Sequence, residues 1–104
     1  KIPSVRIVDL AESIAPGMPH KTIGIRPGEK LHEIMCPSDD SHLTLEFDDH
    51  YVIQPSIRFY DCQDYTTNGM SEKGAPVKEG FCYNSRDHPN FLSVQELTHL
   101  NDQV

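Results

Sequence analysis

Residues 24–33 read GIRPGEKLHE and place Arg26, Gly28, Glu29, Lys30 and His32 within seven positions. This combination suits the binding of an anion. An arginine offers a planar fork of donors that matches a phosphate or diphosphate. Gly28 lets backbone approach a ligand closely. Glu29 can accept hydrogen bonds from sugar hydroxyls. The expected setting is a strand end at Arg26, a Pro27-Gly28 turn, and a helix whose N-terminus adds partial positive charge. The same residues also suit a plain surface turn with solvated charges. The motif is neither a P-loop nor a dinucleotide fingerprint, because G-x-x-x-x-G-K-[ST] and G-x-G-x-x-G are both absent.

Other chemistry is weaker. His32 and Cys36 are four apart, a zinc-compatible spacing, but no second pair completes a site, so no metal is expected. Asp39-Asp40 and Asp48-Asp49 read as turn and cap residues rather than acid–base pairs. Neither a Cys nucleophile signature nor a Tyr-x-x-x-Lys pair is present. Tyr51, Tyr60, Tyr65 and Tyr83 are followed four residues on by Pro55, Asp64, Gly69 and Asp87.

The elements that must position these residues follow from pattern. Residues 4–15 predict a helix capped by Ser4, with Ile7, Leu10, Ala11 and Ile14 on one apolar face, stopped by PGMP at 16–19. Residues 20–26 predict a strand with Ile23 and Ile25 on one face, and 29–35 a short helix with Leu31, Ile34 and Met35 inward. Ser38 or Asp39 can cap a helical turn. Leu43, Leu45 and Phe47 alternate as a half-buried strand does, and residues 51–53 are a second strand candidate. Residues 56–80 are a loop or variable excursion, and 81–85 a short strand. Ser93 and Glu96 form a capping box for a closing helix at 94–101.

Composition sets the bounds. A chain of 104 residues is one domain, burying roughly 65% of its unfolded surface. Only 37% of it is hydrophobic, Pro occurs 8 times and Trp not at all, which points to a loop-rich domain or a piece of a larger one. Sixteen acidic against 9 basic residues give a net charge of −7, unsuited to a nucleic-acid or anionic membrane surface. Cys36, Cys62 and Cys82 are an odd, unpatterned set, read as free thiols in a reducing compartment. No apolar run reaches the roughly 18 residues of a membrane span, and no signal peptide is visible. The chain opens KIPSVRIVDL without an initiator Met, so the natural protein is expected to extend upstream.

GIRPGEKLHEIM followed by SDDSHLTLEFDDHYVIQP resembles the C-terminal region of the bacterial UDP-N-acetylglucosamine 4,6-dehydratases of the inverting type. These belong to the polysaccharide-biosynthesis family of extended short-chain dehydrogenases. The likeness covers residues 3–54 and, through FCYNSRDHPNFLSVQEL, 81–100. The chain departs at Ser41-His42, where the family pattern has Ala-Arg, and at Phe91, where a tryptophan is common.

The resemblance implies a small α+β fold: the C-terminal substrate-binding lobe of an extended short-chain dehydrogenase, lacking the Rossmann domain. It implies an N-terminal half that binds NAD(P) and carries the Tyr-x-x-x-Lys pair, so this chain holds no cofactor and is inactive alone. The family reaction oxidises the sugar at carbon 4, eliminates water across carbons 5 and 6, and returns hydride to carbon 6, inverting carbon 5. The products feed capsule, O-antigen or flagellin sugars in the bacterial cytoplasm. The implied substrate is a UDP-sugar, contacted by Arg26 and oriented by Glu29, with Gly28, Lys30 and His32 in support. The implied partners are the Rossmann half and further copies of the full-length enzyme. Apolar faces shaped for that half would lie exposed here and favour self-association. Alternatives are a stand-alone, non-catalytic domain for a nucleotide sugar or a protein, and a purely structural oligomerisation piece.

Overall fold

The computed structural model describes residues 1–57 and 64–104. Tyr60 and Cys62 lie outside the described residues. The chain divides into two compact units, one of Lys1 and residues 34–84, the other of residues 2–33 and 85–104.

The first unit is built from short antiparallel strands. Strand β1 (Ile34–Cys36) pairs with β5 (Tyr83–Asn84), and β2 (Thr44–Glu46) lies between β3 (Tyr51–Ile53) and β4 (Ala75–Pro76). The β2–β3 hairpin turns through Phe47, Asp48, Asp49 and His50, closed by the Phe47 N–H donating to the His50 carbonyl at 2.9 Å. Two acidic residues suit such a turn, being good at local hydrogen bonding. Pro76 is tolerated because β4 is an edge strand, where a missing N–H costs no ladder bond. The strand readings at 43–47, 51–53 and 81–85 therefore mark real strands. The polar run after residue 63 contributes β4 and a bridge between Thr67 and Lys73.

The core of this unit mixes apolar and polar groups. Cys36, Leu45 and Phe47 are buried, and so is Thr44. Thr44 is accommodated because its hydroxyl donates to the Asp40 carbonyl at 2.8 Å and meets the Cys36 sulfur at 3.3 Å. Asp40 belongs to a 3₁₀ helix, Ser38–Leu43, which is the helical turn expected after Pro37, but neither Ser38 nor Asp39 caps it: the cap position is Pro37, with no side-chain hydrogen bond. Phe47 stacks on His50 with ring centroids 4.6 Å apart, and its ring lies close over Gly74. A methyl group at Gly74 would stand 2.6 Å from the Phe47 ring.

The second unit pairs α1 (Ile7–Ile14) with α2 (Val94–Asp102). Helix α2 begins as the sequence predicts. The Ser93 hydroxyl accepts from the Glu96 N–H, and the Glu96 carboxylate accepts from the Ser93 N–H at 2.8 Å. Leu97 is the buried anchor of α2. Between the helices, the Asn101 amide donates to the buried Ser13 hydroxyl at 3.2 Å, which in turn donates to the Leu10 carbonyl.

Four expectations are corrected here. Ser4 does not cap α1, which starts at Ile7 after an uncapped Arg6. Ser4 is instead bridged to Phe91: its N–H donates to Asn90, its carbonyl accepts from Leu92, and its hydroxyl donates to the Ser85 carbonyl. The apolar face of α1 is also rotated, with Leu10 and Ala11 half-buried but Ile7 and Ile14 exposed. Residues 20–26 form no strand, since Ile23 and Ile25 are exposed and no strand among the described residues meets them. Residues 29–35 form no helix either. A seven-residue helix is marginal in water without a face to bury, and Leu31 is 80% exposed. The end of that segment is drawn into β1 instead. Just before it, the Ser85 N–H donates to the Glu33 carbonyl, and the Glu33 N–H to the Ser85 hydroxyl.

Gly74→Ala is expected to lose about 1–3 kcal/mol of stability in urea unfolding, from overpacking against Phe47. Gly69→Ala, with open space around it, is the control and should shift the midpoint far less. The capping box gives a second expectation. Hydrogen bonds from Ser93 hold the Glu96 carboxyl below its usual 4.5. Its contribution is therefore complete above pH 4.5 and is lost as pH falls through the lower folded value. Relative to the intrinsic amide rate at each pH, exchange along α2 should accelerate across that acid range in the natural chain and stay flat in Glu96→Gln.

Candidate functional site

The segment 24–33 forms a turn rather than a strand-to-helix junction. The Glu29 N–H donates to the Arg26 carbonyl at 3.1 Å, and Gly28 has φ of 85°. Proline at the second position and a left-handed glycine at the third make this a type II turn. Each residue is suited to its place: Pro27 presets its own φ, and Gly28 adopts a conformation that a side chain would strain.

The turn brings Arg26 and Glu29 together. Glu29 Oε2 accepts from the Arg26 N–H at 2.9 Å, and Oε1 lies 3.4 Å from the Arg26 Nε. One carboxylate thus grips both the backbone and the guanidinium of the same arginine. The pair is open to solvent, with side-chain exposures of 74% and 48%, so it adds well under about 1 kcal/mol. The two terminal amino groups of Arg26 have no partner among the described residues. They are donors available to an incoming anion. The expected helix N-terminus beside them is absent, so the charge there is that of the side chains alone.

Gly28 is within the turn, while Lys30 makes no hydrogen bond or ion pair among the described residues. His32 faces a different neighbourhood. With Leu31 it lines a groove of about 440 Å³ whose other walls include Arg6, Ser85, Arg86 and Phe91. These groups lie far apart in the sequence. No local spacing announces them; the Ser4–Phe91 bridge and the Ser85–Glu33 hydrogen bonds bring them together.

The remaining candidates hold structural positions. Cys36 is buried in β1, against Thr44, and Cys82 is a free thiol. Among the described residues no group of three or more His, Cys, Asp and Glu side chains gathers to hold a metal ion. Asp39 and Asp40 lie in the first turn of the 3₁₀ helix. Asp49 pairs with His50 at 2.5 Å, and that hydrogen bond holds its carboxyl below the usual range. Among the described residues no helix is long and apolar enough to cross a membrane.

Residues 1–55, which include the whole of this turn, match the family described as polysaccharide biosynthesis protein. The chain belongs to the polysaccharide biosynthesis protein family. It is similar to the UDP-N-acetylglucosamine 4,6-dehydratase (inverting) of Campylobacter jejuni subsp. jejuni serotype O:2, at 54% identity over 101 residues, 96% of this chain and 30% of that relative. The identically named protein of serotype O:23/36 is 54% identical over 98 residues, 93% of this chain and 29% of the relative. This member of the polysaccharide biosynthesis protein family therefore spans about 30% of the length of the relatives it matches.

Gly28→Ala is expected to strain the turn by about 1–2 kcal/mol, the cost of a left-handed conformation for a residue with a side chain. Exchange of the Glu29 amide should then accelerate roughly 5–30-fold, with α2 unaffected. Unchanged exchange at Glu29 would mean that the turn does not depend on Gly28.

Proposed function

We propose that this chain is the nucleotide-sugar-binding, carboxy-terminal part of a UDP-N-acetylglucosamine 4,6-dehydratase acting in bacterial polysaccharide or glycan biosynthesis. The products would be 4-keto-6-deoxy amino sugar nucleotides for capsule, O-antigen or flagellin sugars, made in the cytoplasm. The observation that carries this reading is the close similarity, across nearly the whole chain, to enzymes bearing that name. The Arg26 turn supplies a physical reason for a binding role.

In this reading Arg26 contacts the diphosphate of the UDP-sugar. Its guanidinium is held loosely by Glu29, and a diphosphate oxygen replaces Oε1 at little cost. Glu29 keeps its hold on the Arg26 N–H, so the turn persists while the charge partner changes. Gly28 keeps the approach open, and Lys30 adds positive charge nearby, whereas His32 faces the separate groove. The chain would work with a Rossmann half, and the complete enzyme as a homo-oligomer.

NAD(P) is the cofactor that the family implies, and it supplies hydride transfer when bound. The residues present here do not fit it. They include no glycine fingerprint. Lys1 does stand over the Tyr51 ring at 4.9 Å, but burial, followed by Glu46, pushes the Tyr51 hydroxyl above its usual range. A tyrosine that must give up its proton to work as a base needs the opposite shift. No hydride step is assigned to this chain.

The test is an NMR titration of the chain with UDP-N-acetylglucosamine, alongside Arg26→Ala. Saturating shifts should centre on residues 24–29, and the variant should bind about tenfold more weakly, as befits loss of a hydrogen bond to a charged group. A folded chain that shows no shifts there, or equal affinity in the variant, would make the turn scaffold rather than binding site.

A further inference from the structure

The hairpin at residues 66–74 is organised around one carboxamide. Its loop runs through Gly69, Met70 and Ser71, closed by the Ser71 N–H donating to the Asn68 carbonyl at 3.0 Å, with Ser71 left-handed at φ 63°. The Asn68 side chain is engaged at both ends. Its Oδ1 accepts from the Met70 N–H at 3.0 Å and from the Glu72 N–H at 2.9 Å. Its Nδ2 donates to Glu72 Oε2 at 2.8 Å. The other oxygen of that carboxylate, Oε1, accepts from the Asp48 N–H at 2.6 Å, in the β2–β3 turn. A carboxamide can do this because it accepts at one end and donates at the other, whereas a carboxylate only accepts. Asn68 thus holds Glu72 where Glu72 can hold the β2–β3 turn.

The next residue leaves this asparagine open to attack. Of the four asparagines only Asn68 precedes a glycine; Asn84, Asn90 and Asn101 precede Ser85, Phe91 and Asp102. A backbone nitrogen can attack the side-chain carbonyl carbon of the asparagine before it, and a side chain on the attacking residue crowds that approach. Gly69 has none, and the space around it is open. Its N–H makes no hydrogen bond among the described residues, so the nitrogen is not tied elsewhere. The two N–H donors on Oδ1 polarise the carbonyl and face the oxygen on which negative charge builds during attack. Gly69 is exposed and Asn68 half-buried, so water reaches the pair.

We infer that Asn68 is a site of spontaneous conversion to aspartate and isoaspartate, and that the conversion unlatches the 66–74 hairpin from the β2–β3 turn. The Gly69 nitrogen gives its proton to solvent base and bonds to the Asn68 Cγ. The Cγ–Nδ2 bond then breaks, and Nδ2 leaves as ammonia. Water opens the resulting cyclic imide at either carbonyl. One opening gives aspartate; the other gives isoaspartate, with an extra methylene in the backbone. Water is consumed, ammonia is released, and nothing is oxidised or reduced. In both products the donor to Glu72 is gone. Aspartate also sets a carboxylate against Glu72, and isoaspartate lengthens the turn. Glu72 then loses its hold on the Asp48 N–H. The inference stands on this hairpin and does not rest on the nucleotide-sugar reading.

The test is incubation of the 104-residue chain at mildly alkaline pH, followed by peptide mapping for aspartate and isoaspartate. Conversion at position 68 should run ahead of that at Asn84, Asn90 and Asn101, and should quicken as pH rises. Gly69→Ala should slow it roughly tenfold or more. In the converted chain and in Asn68→Asp, exchange of the Asp48 and Glu72 amides should accelerate roughly fivefold or more. Amides of α2 should keep their rates in both, which verifies that the fold is retained. No lead at position 68, or conversion in urea but not in the folded chain, would overturn the site. An equal rate in Gly69→Ala would do the same. Unchanged exchange at Asp48 and Glu72 in both carboxylate forms would overturn the latch.

Discussion

Two hydrogen bonds at Ser4, one donated to Asn90 and one accepted from Leu92, hold together the unit that carries the turn at 26–29. They join the segment before α1 to the segment before α2. Once those starts are fixed side by side, the helices can share Leu97 and the Ser13–Asn101 contact. The Ser4 hydroxyl then reaches the Ser85 carbonyl, and Ser85 holds Glu33 at the far end of the extended segment. The exposed stretch from His20 to Glu33 is tethered at its far end by this chain of backbone contacts, not by a core.

Hydrogen bonding carries weight here because apolar burial is scarce. Among the described residues the buried hydrophobic side chains are Cys36, Leu45, Phe47 and Leu97. Ile7, Ile14, Met18, Ile23, Ile25 and Leu31 are all more than half exposed. Thr44 does in the strand unit what an aliphatic residue would do in a richer core, and it is tolerable only because Asp40 satisfies its hydroxyl. No buried side-chain polar atom among the described residues is left without a partner.

The parts legible in the sequence were those decided locally. The capping box at Ser93 and Glu96, the Asp48-Asp49 hairpin, the alternation at 43–47 and the Pro27-Gly28 turn each depend on neighbours within a few positions. The misread parts depended on distant ones. Ser4 has every local qualification for a helix cap, but Phe91 and Ser85 claim it first. Ile23 and Ile25 alternate as strand residues do, yet no second strand among the described residues meets them, and alternation cannot supply one. Ile34 and Met35 fit a helical face until Tyr83 and Asn84 offer a ladder. Arg26 and Glu29 were legible as neighbours, whereas Arg6, Arg86 and Phe91 could be gathered around His32 only by the fold.

The grip of Glu29 on Arg26 makes the carboxylate a built-in rival for any ligand. It is tethered three residues away, so its effective concentration at the guanidinium is high and dilution never lowers it. A singly charged acid from solution offers the arginine nothing that Glu29 does not already offer. A ligand with more charge and more oxygens does. At 74% and 48% exposure the pair is worth well under about 1 kcal/mol, so the resident carboxylate tips the balance toward denser anions only slightly.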